Sequence, residues 1–315
     1  MQHAQGPRVG LQLYSLRDLS ADLPDIIGRV GDQGYAGVEF ADRILEADVD
    51  AVRAAMTTAG VEPVAAHASL SQLETRSETF LDRYAALDCP RLVIPHVSSK
   101  HLLTRDRVDA LADRLVALAD DLADHGFDLL VHNTRAMHFP LLDRYRLADA
   151  VGSGVLPQGG WQTAPWAFDR VTPSGWRGQT AFERLVERTG PELTFEIDIK
   201  EVATAGRDLS AVLDTAGDRV WGVHLSNATR TRRFPPAYRG SGLADGIVDI
   251  ETSLRTVLDR SIDWVIVESE DATEPLSTTT DVAHRVLAAL GADFGTRNPP
   301  NAEAGSEAGS EARGR

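Results

Sequence analysis

The chain has 315 residues, a net charge of −15 and a single cysteine, Cys89. One cysteine excludes an internal disulfide and a cysteine-rich zinc site. The acid excess excludes a sequence-independent grip on nucleic acid, which needs a basic face, and no apolar stretch reaches the roughly 20 residues that span a membrane.

The first predicted strand is VGLQL (9–13), followed by a helix over 21–33. AGVEF (36–40) precedes a helix over 48–59, and EPVAAH (62–67) precedes one over roughly 70–87. RLVIPH (91–96) leads into the long periodic stretch 105–125. FDLLVHN (127–133), LTFEID (193–198), VWGVHL (220–225) and WVIVES (264–269) complete the strands, with helices over about 208–216, 250–260 and 277–290. Short apolar runs alternating with amphipathic helices predict parallel βαβ units. Eight of them favour an α/β fold of the closed (β/α)8 TIM-barrel type over an open sheet. No glycine-rich phosphate fingerprint follows the first strand.

Residues 1–8 are expected to be a flexible N-terminus and 9–294 the barrel. An insertion at about 151–178, rich in Trp, Gly and Pro, is expected after the fifth strand. Residues 295–315, including EAGSEAGSEA, have little apolar content and are expected to be a disordered acidic tail. The opening MQHAQGPR has no apolar segment of the secretory kind, so a soluble, cytoplasmic protein is expected. Of the 32 basic residues only Lys100 and Lys200 are lysines. Many carboxylates with almost no lysine fit a halophilic protein in a salty cytoplasm, where molar salt screens the repulsion.

Chemistry gathers at the C-terminal strand ends, which converge on one rim of a parallel barrel. Asp198, His224 and Glu268 close the last three strands, and Tyr14, Glu39, His67, His96 and His132 with Asn133 stand at earlier ends. Mixed carboxylate and imidazole donors suit Mn2+, Mg2+, Co2+ or Zn2+ without choosing among them. A lone strand-end histidine is often only a hydrogen-bonded group, and a strand-end aspartate often caps a loop. Three such ends in successive strands favour a metal site.

The motifs LQLYSLRD (11–18), YAGVEFAD (35–42), VAAHASL (64–70), VIPHVS (93–98), VHN (131–133), EIDIKEVATAGRD (196–208), VHLSN (223–227) and VESED (267–271) resemble, in order, those of the xylose isomerase-like TIM-barrel family of sugar phosphate isomerases and epimerases. The resemblance covers roughly residues 8–290 apart from the insertion. It implies a divalent metal held by Glu, Asp, His and Glu from the fifth to eighth strands. Asp198, His224 and Glu268 match the last three. The first is absent: His132 to His138 reads HNTRAMH, with no carboxylate. His132, less readily His138, or water takes that place.

The resemblance further implies proton transfer beside a carbonyl, on a small carbohydrate substrate. Glu268, His132 and His67 are the expected catalytic residues, and Tyr14, His96, Arg230 and Asn227 the expected substrate contacts. Gly240 and Gly242 are expected to allow a tight turn near the site. A lyase of the inosose dehydratase type needs fewer carboxylates than two-faced epimerisation. A degenerate, non-catalytic sugar-binding barrel is the reading that the missing carboxylate favours. A homo-oligomer is compatible with the sequence, and neither nucleic acid nor membrane is an expected partner.

Overall fold

The computed structural model describes residues 7–141, 178–233, 236–271 and 275–289. In chain order the strands are β1 (Arg8–Gln12), β2 (Gly37–Phe40), β3 (Glu62–His67), β4 (Arg91–Ile94), β5 (Asp128–His132), β6 (Leu193–Asp198), β7 (Val220–Leu225), β8 (Asn227–Arg232), β9 (Ala237–Ser241) and β10 (Trp264–Val267). Eight of them form a closed barrel in the order β1–β10–β7–β6–β5–β4–β3–β2. All its pairings are parallel, and β10 closes the ring against β1 with Arg8 beside Trp264. This is the expected (β/α)8 architecture.

Two apolar layers follow from the period of two along each strand. Val38, Phe40, Phe195, Ile197, Val223 and Val267 point outward and are fully buried beneath the helices. Trp264, Val93, Leu130 and Ile266 point inward and form a separate core inside the barrel, which Trp221 joins at the β6–β7 register shift, out of step with Val223. The Trp264 ring fits because Gly37 faces it; a Cβ at Gly37 would lie 2.9 Å from that ring. Above this floor the inward positions turn polar: Gln12, Glu39, His132, Glu196 and His224 are all buried.

Acidic residues also start helices. The side chains of Asp22, Asp48, Asp208 and Asp249 accept backbone N–H bonds at helix N-termini, where carboxylates satisfy otherwise unpaired donors. The helix expected over 70–87 is two, Leu70–Thr75 and Glu78–Ala85. Arg76 between them has ψ 150°, and its guanidinium bonds Leu73 O at 2.5 Å. That bond and an ion pair to Asp121 hold the break.

β8 and β9 form an antiparallel hairpin after β7, which the apolar pattern did not predict. Gly240 lies inside β9 rather than in a tight turn, a correction to the sequence reading. Its physical reason is room: a Cβ there would collide with the Glu270 side chain. Residues 1–6, residues 142–177 with nearly all of the expected insertion, and residues 290–315 with the expected tail lie outside the described residues.

Candidate metal centre

His224 is the hub. Inward on β7 and fully buried, it places Nε2 2.7 Å from Glu39 Oε2 and 3.2 Å from Glu196 Oε2. Its Nδ1 lies 3.2 Å from Glu268 Oε2. His67 stacks on its ring at 5.8 Å, and His132 meets it edge-on at 4.9 Å. Gln12 Nε2 donates to Glu39 Oε2 at 2.7 Å and lies 3.2 Å from His67 Nε2. Strand register assists the convergence. The β2–β3 pairing shifts between Val38 and Glu39, and β6–β7 shifts between Phe195 and Glu196. Such irregularities re-aim side chains next to active sites.

The electrostatics follow from burial among like and unlike charges. Burial and the neighbouring Glu196 charge push the Glu39 carboxyl up, against the pull of His67 and His224. Burial also raises Glu196, but the His224, His67 and His132 imidazoles outweigh it and hold the carboxyl well below its usual range. Burial opposes charge on His224, yet Glu196, Glu39 and Glu268 raise its pKa well above that of free imidazole. His67 is raised by the same opposition, with Glu39 and Glu196 prevailing over burial. Glu268 is drawn down to about 2, its burial outweighed by His224, Lys200 and His132. Burial and the His224 charge lower His132 to about 4.

Three sets of side chains among the described residues bring donor atoms within 4.8 Å of one another: Glu39, His67, Glu196 and His224; His132, Asp198 and His224; and Asp198, Glu268 and Glu270. Several polar atoms of these side chains are buried without a hydrogen-bond partner, namely Glu39 Oε1, both Glu196 oxygens, Asp198 Oδ2 and His132 Nδ1. Buried polar groups are normally satisfied. Unpartnered carboxylate oxygens and an imidazole nitrogen gathered in such sets fit a divalent cation.

Asp198 caps the short helix Ile199–Thr204. Its Oδ1 accepts from Lys200 N at 2.8 Å and Ser226 Oγ at 2.5 Å, and its backbone N–H donates to Asn133 Oδ1 at 2.5 Å. His132 Nε2 stands 3.7 Å from Asp198 Oδ2. Lys200 is 7% exposed and pairs with Asp198 and Glu201, each at 3.2 Å, and with Glu270. Burial opposes its charge, and Asp198, Glu201, Glu268 and Glu270 outweigh burial and raise its pKa.

The sequence-derived residues divide into two groups. Asp198, His224, Glu268, His132 and His67 come together. His138 does not join them; its Nε2 meets Asn133 Nδ2 at 2.8 Å and its ring packs 5.3 Å from Phe182. Tyr14 is 44% exposed, under the Arg17 guanidinium at 4.2 Å. His96 is exposed just past β4, and Arg230 is exposed on β8 over the Tyr238 ring at 5.8 Å. Asn227 is buried and turned to the backbone. It donates to Leu243 O and Val248 O and accepts from Ala228 N and Val248 N, which leaves it no group for a substrate. Cys89 is buried with its thiol pushed up to about 12 by burial, so it is no nucleophile.

Sequence reasoning left Gln12 and Glu196 out and gave Glu39 no role. Alternation was the available signal. Glu196 lies two residues before Asp198, and Gln12 two after Gly10, so each faces the barrel interior.

No family model matches the chain, and no curated protein is similar to it at the sequence level. Solved structures are similar. A sugar phosphate isomerase/epimerase from Parabacteroides distasonis matches at 17% identity over 92% of this chain and 98% of its own, with a TM-score of 0.64. The IOLI protein with a bound zinc atom matches at 14% identity over 90% of this chain and 98% of its own, TM-score 0.61. A probable 3-DHS dehydratase from Bacillus anthracis matches at 12% over 88% and 98%, TM-score 0.59. The chain thus shares the TIM-barrel fold of sugar phosphate isomerase/epimerase and xylose isomerase-like proteins.

Proposed function

We propose that this chain is a divalent-metal-dependent isomerase or epimerase of a small sugar, keto-sugar or polyol, acting by proton transfer beside a carbonyl. The observation that carries the reading is the group of buried, unpartnered donors around His224 at the C-terminal face of the barrel, the face where such barrels place active sites. Glu39, His67, Glu196 and His224 would hold the ion, with His132 and Asp198 on the adjoining side. The ion, Mn2+, Mg2+, Co2+ or Zn2+, would supply a Lewis acid to a substrate oxygen.

The protein's own residues divide the remaining work. Glu268, held ionised down to about pH 2, is a weak base. Its place against His224 Nδ1 suits it to orient that ring. His67 is the partly exposed imidazole of the cluster and would hold the ion through a ring nitrogen, so it is not free to carry a proton. His132, lowered to about 4, is neutral at pH 7 with Nδ1 open to accept, and it is the proposed proton acceptor. The inward Trp floor seals the barrel's other end against water.

Proton NMR of keto-sugars incubated with Mn2+-loaded protein in D2O tests the reading. Isomerisation or epimerisation labels the carbon beside the carbonyl, and His132→Gln is expected to slow labelling by about 10^2-fold or more. No labelling of any keto-sugar with loaded protein would contradict it. The likeness to the Bacillus anthracis dehydratase favours a second reading, a lyase on the same barrel. That enzyme would release water and yield an ultraviolet-absorbing conjugated carbonyl.

A further inference from the structure

The mouth of the barrel holds two acidic clusters that share an edge, and only one of them contains a side-chain ammonium. Inside, Glu39 and Glu196 face imidazoles and keep unpartnered oxygens. Outside, the oxygens of Asp198, Glu268 and Glu270 lie within 4.8 Å of one another, close enough to share an ion. The Lys200 ammonium sits at this outer cluster. It contacts Glu270 Oε1 and lies 3.2 Å from both Asp198 Oδ2 and Glu201 Oε1.

The residue type matters. The chain builds its basic complement from arginine, yet one of its two lysines is buried here and the other, Lys100, is exposed. An ammonium is a compact point charge with three donors, and three carboxylates surround it. A planar guanidinium presents its donors in a fixed fork instead. With 9% of its side chain exposed and three carboxylate partners, Lys200 is poorly placed to reach a substrate.

We propose that Lys200 is a resident cation that closes the outer Asp198–Glu268–Glu270 cluster to metal, so that the chain binds one divalent ion, at the inner cluster of Glu39, His67, Glu196 and His224. This rests on the metal reading above.

Equilibrium dialysis of the chelated full chain against Mn2+ counts the ions. Wild type is expected to bind one equivalent, Lys200→Met two, and Lys200→Met with Glu270→Gln one again. Two equivalents in wild type, or one in Lys200→Met, would overturn the proposal. Wild type that binds no Mn2+ would defeat the metal reading itself, so the two failures are distinguishable. A second measurement needs no variant. In reductive methylation of the wild type, Lys100 is the exposed internal control, and Lys200 is expected to stay unlabelled with and without Mn2+. Labelling of Lys200 on adding Mn2+ would show that the ion displaces it and would equally overturn the proposal.

Discussion

Glu196 has both oxygens buried and outside hydrogen-bond geometry, although the His224 imidazole stands 3.2 Å away. The surrounding imidazoles keep this carboxylate ionised, and a bound cation would give its oxygens the partners they lack. Glu196→Gln is expected to weaken Mn2+ binding by at least about tenfold, about 1.4 kcal/mol, as read by titration calorimetry. His138 permits a pH test away from the ligands. Burial first, then Arg207, lowers it to about 3 against the opposing Asp198 charge. The native state therefore binds fewer protons than the unfolded state between pH 6.5 and 3. The His138 contribution is complete above pH 6.5 and is lost as pH falls toward 3. At about 1.4 kcal/mol per unit, acidification to about pH 4 removes on the order of 3 kcal/mol. Denaturant titrations should show His138→Gln flattening this slope, with a remainder from His132. At this scale Asp198, His224 and Glu268 were legible because each closes an apolar run. Glu39 and Glu196 became ligand candidates only when alternation and the strand shifts placed them beside His224.

The barrel strands were readable because burial on both faces leaves continuous apolar runs bounded by turns. LTFEID and VWGVHL match their strands end to end. The β8–β9 hairpin was not readable, because NATRTR carries no apolar alternation and its outer residues are exposed. What anchors the hairpin is Asn227, whose buried amide bonds three backbone groups of the chain beyond β9 and the N–H of Ala228 beside it. Asn227→Ala is expected to cost about 3 kcal/mol, since it strands buried backbone groups. A lower denaturation midpoint would register the loss. If Asn227→Ala left stability unchanged while weakening substrate binding, the residue would be a substrate contact instead. Gly240→Val, which drives a side chain into Glu270, is expected to cost about 1–3 kcal/mol by the same measurement.

For the whole molecule, eight strand–helix units specified the closed barrel, and the polar layer above its apolar floor specified where chemistry belongs. Substrate identity was not legible, because pocket shape comes from loops whose composition carries no period, and the same barrel hosts several reactions. The charge of −15 is a property at this scale. Part of it caps helices, and the rest repels itself. We propose that molar KCl raises the thermal midpoint of this protein by screening that repulsion; a midpoint that falls on adding KCl would contradict the halophilic reading. The central claim concerns the ion. Titration of chelated wild type with Mn2+ by calorimetry, repeated on His224→Ala, tests it most directly. The account predicts stoichiometric binding that His224→Ala abolishes. Wild type that takes up no Mn2+, or His224→Ala that binds as tightly as wild type, would contradict it.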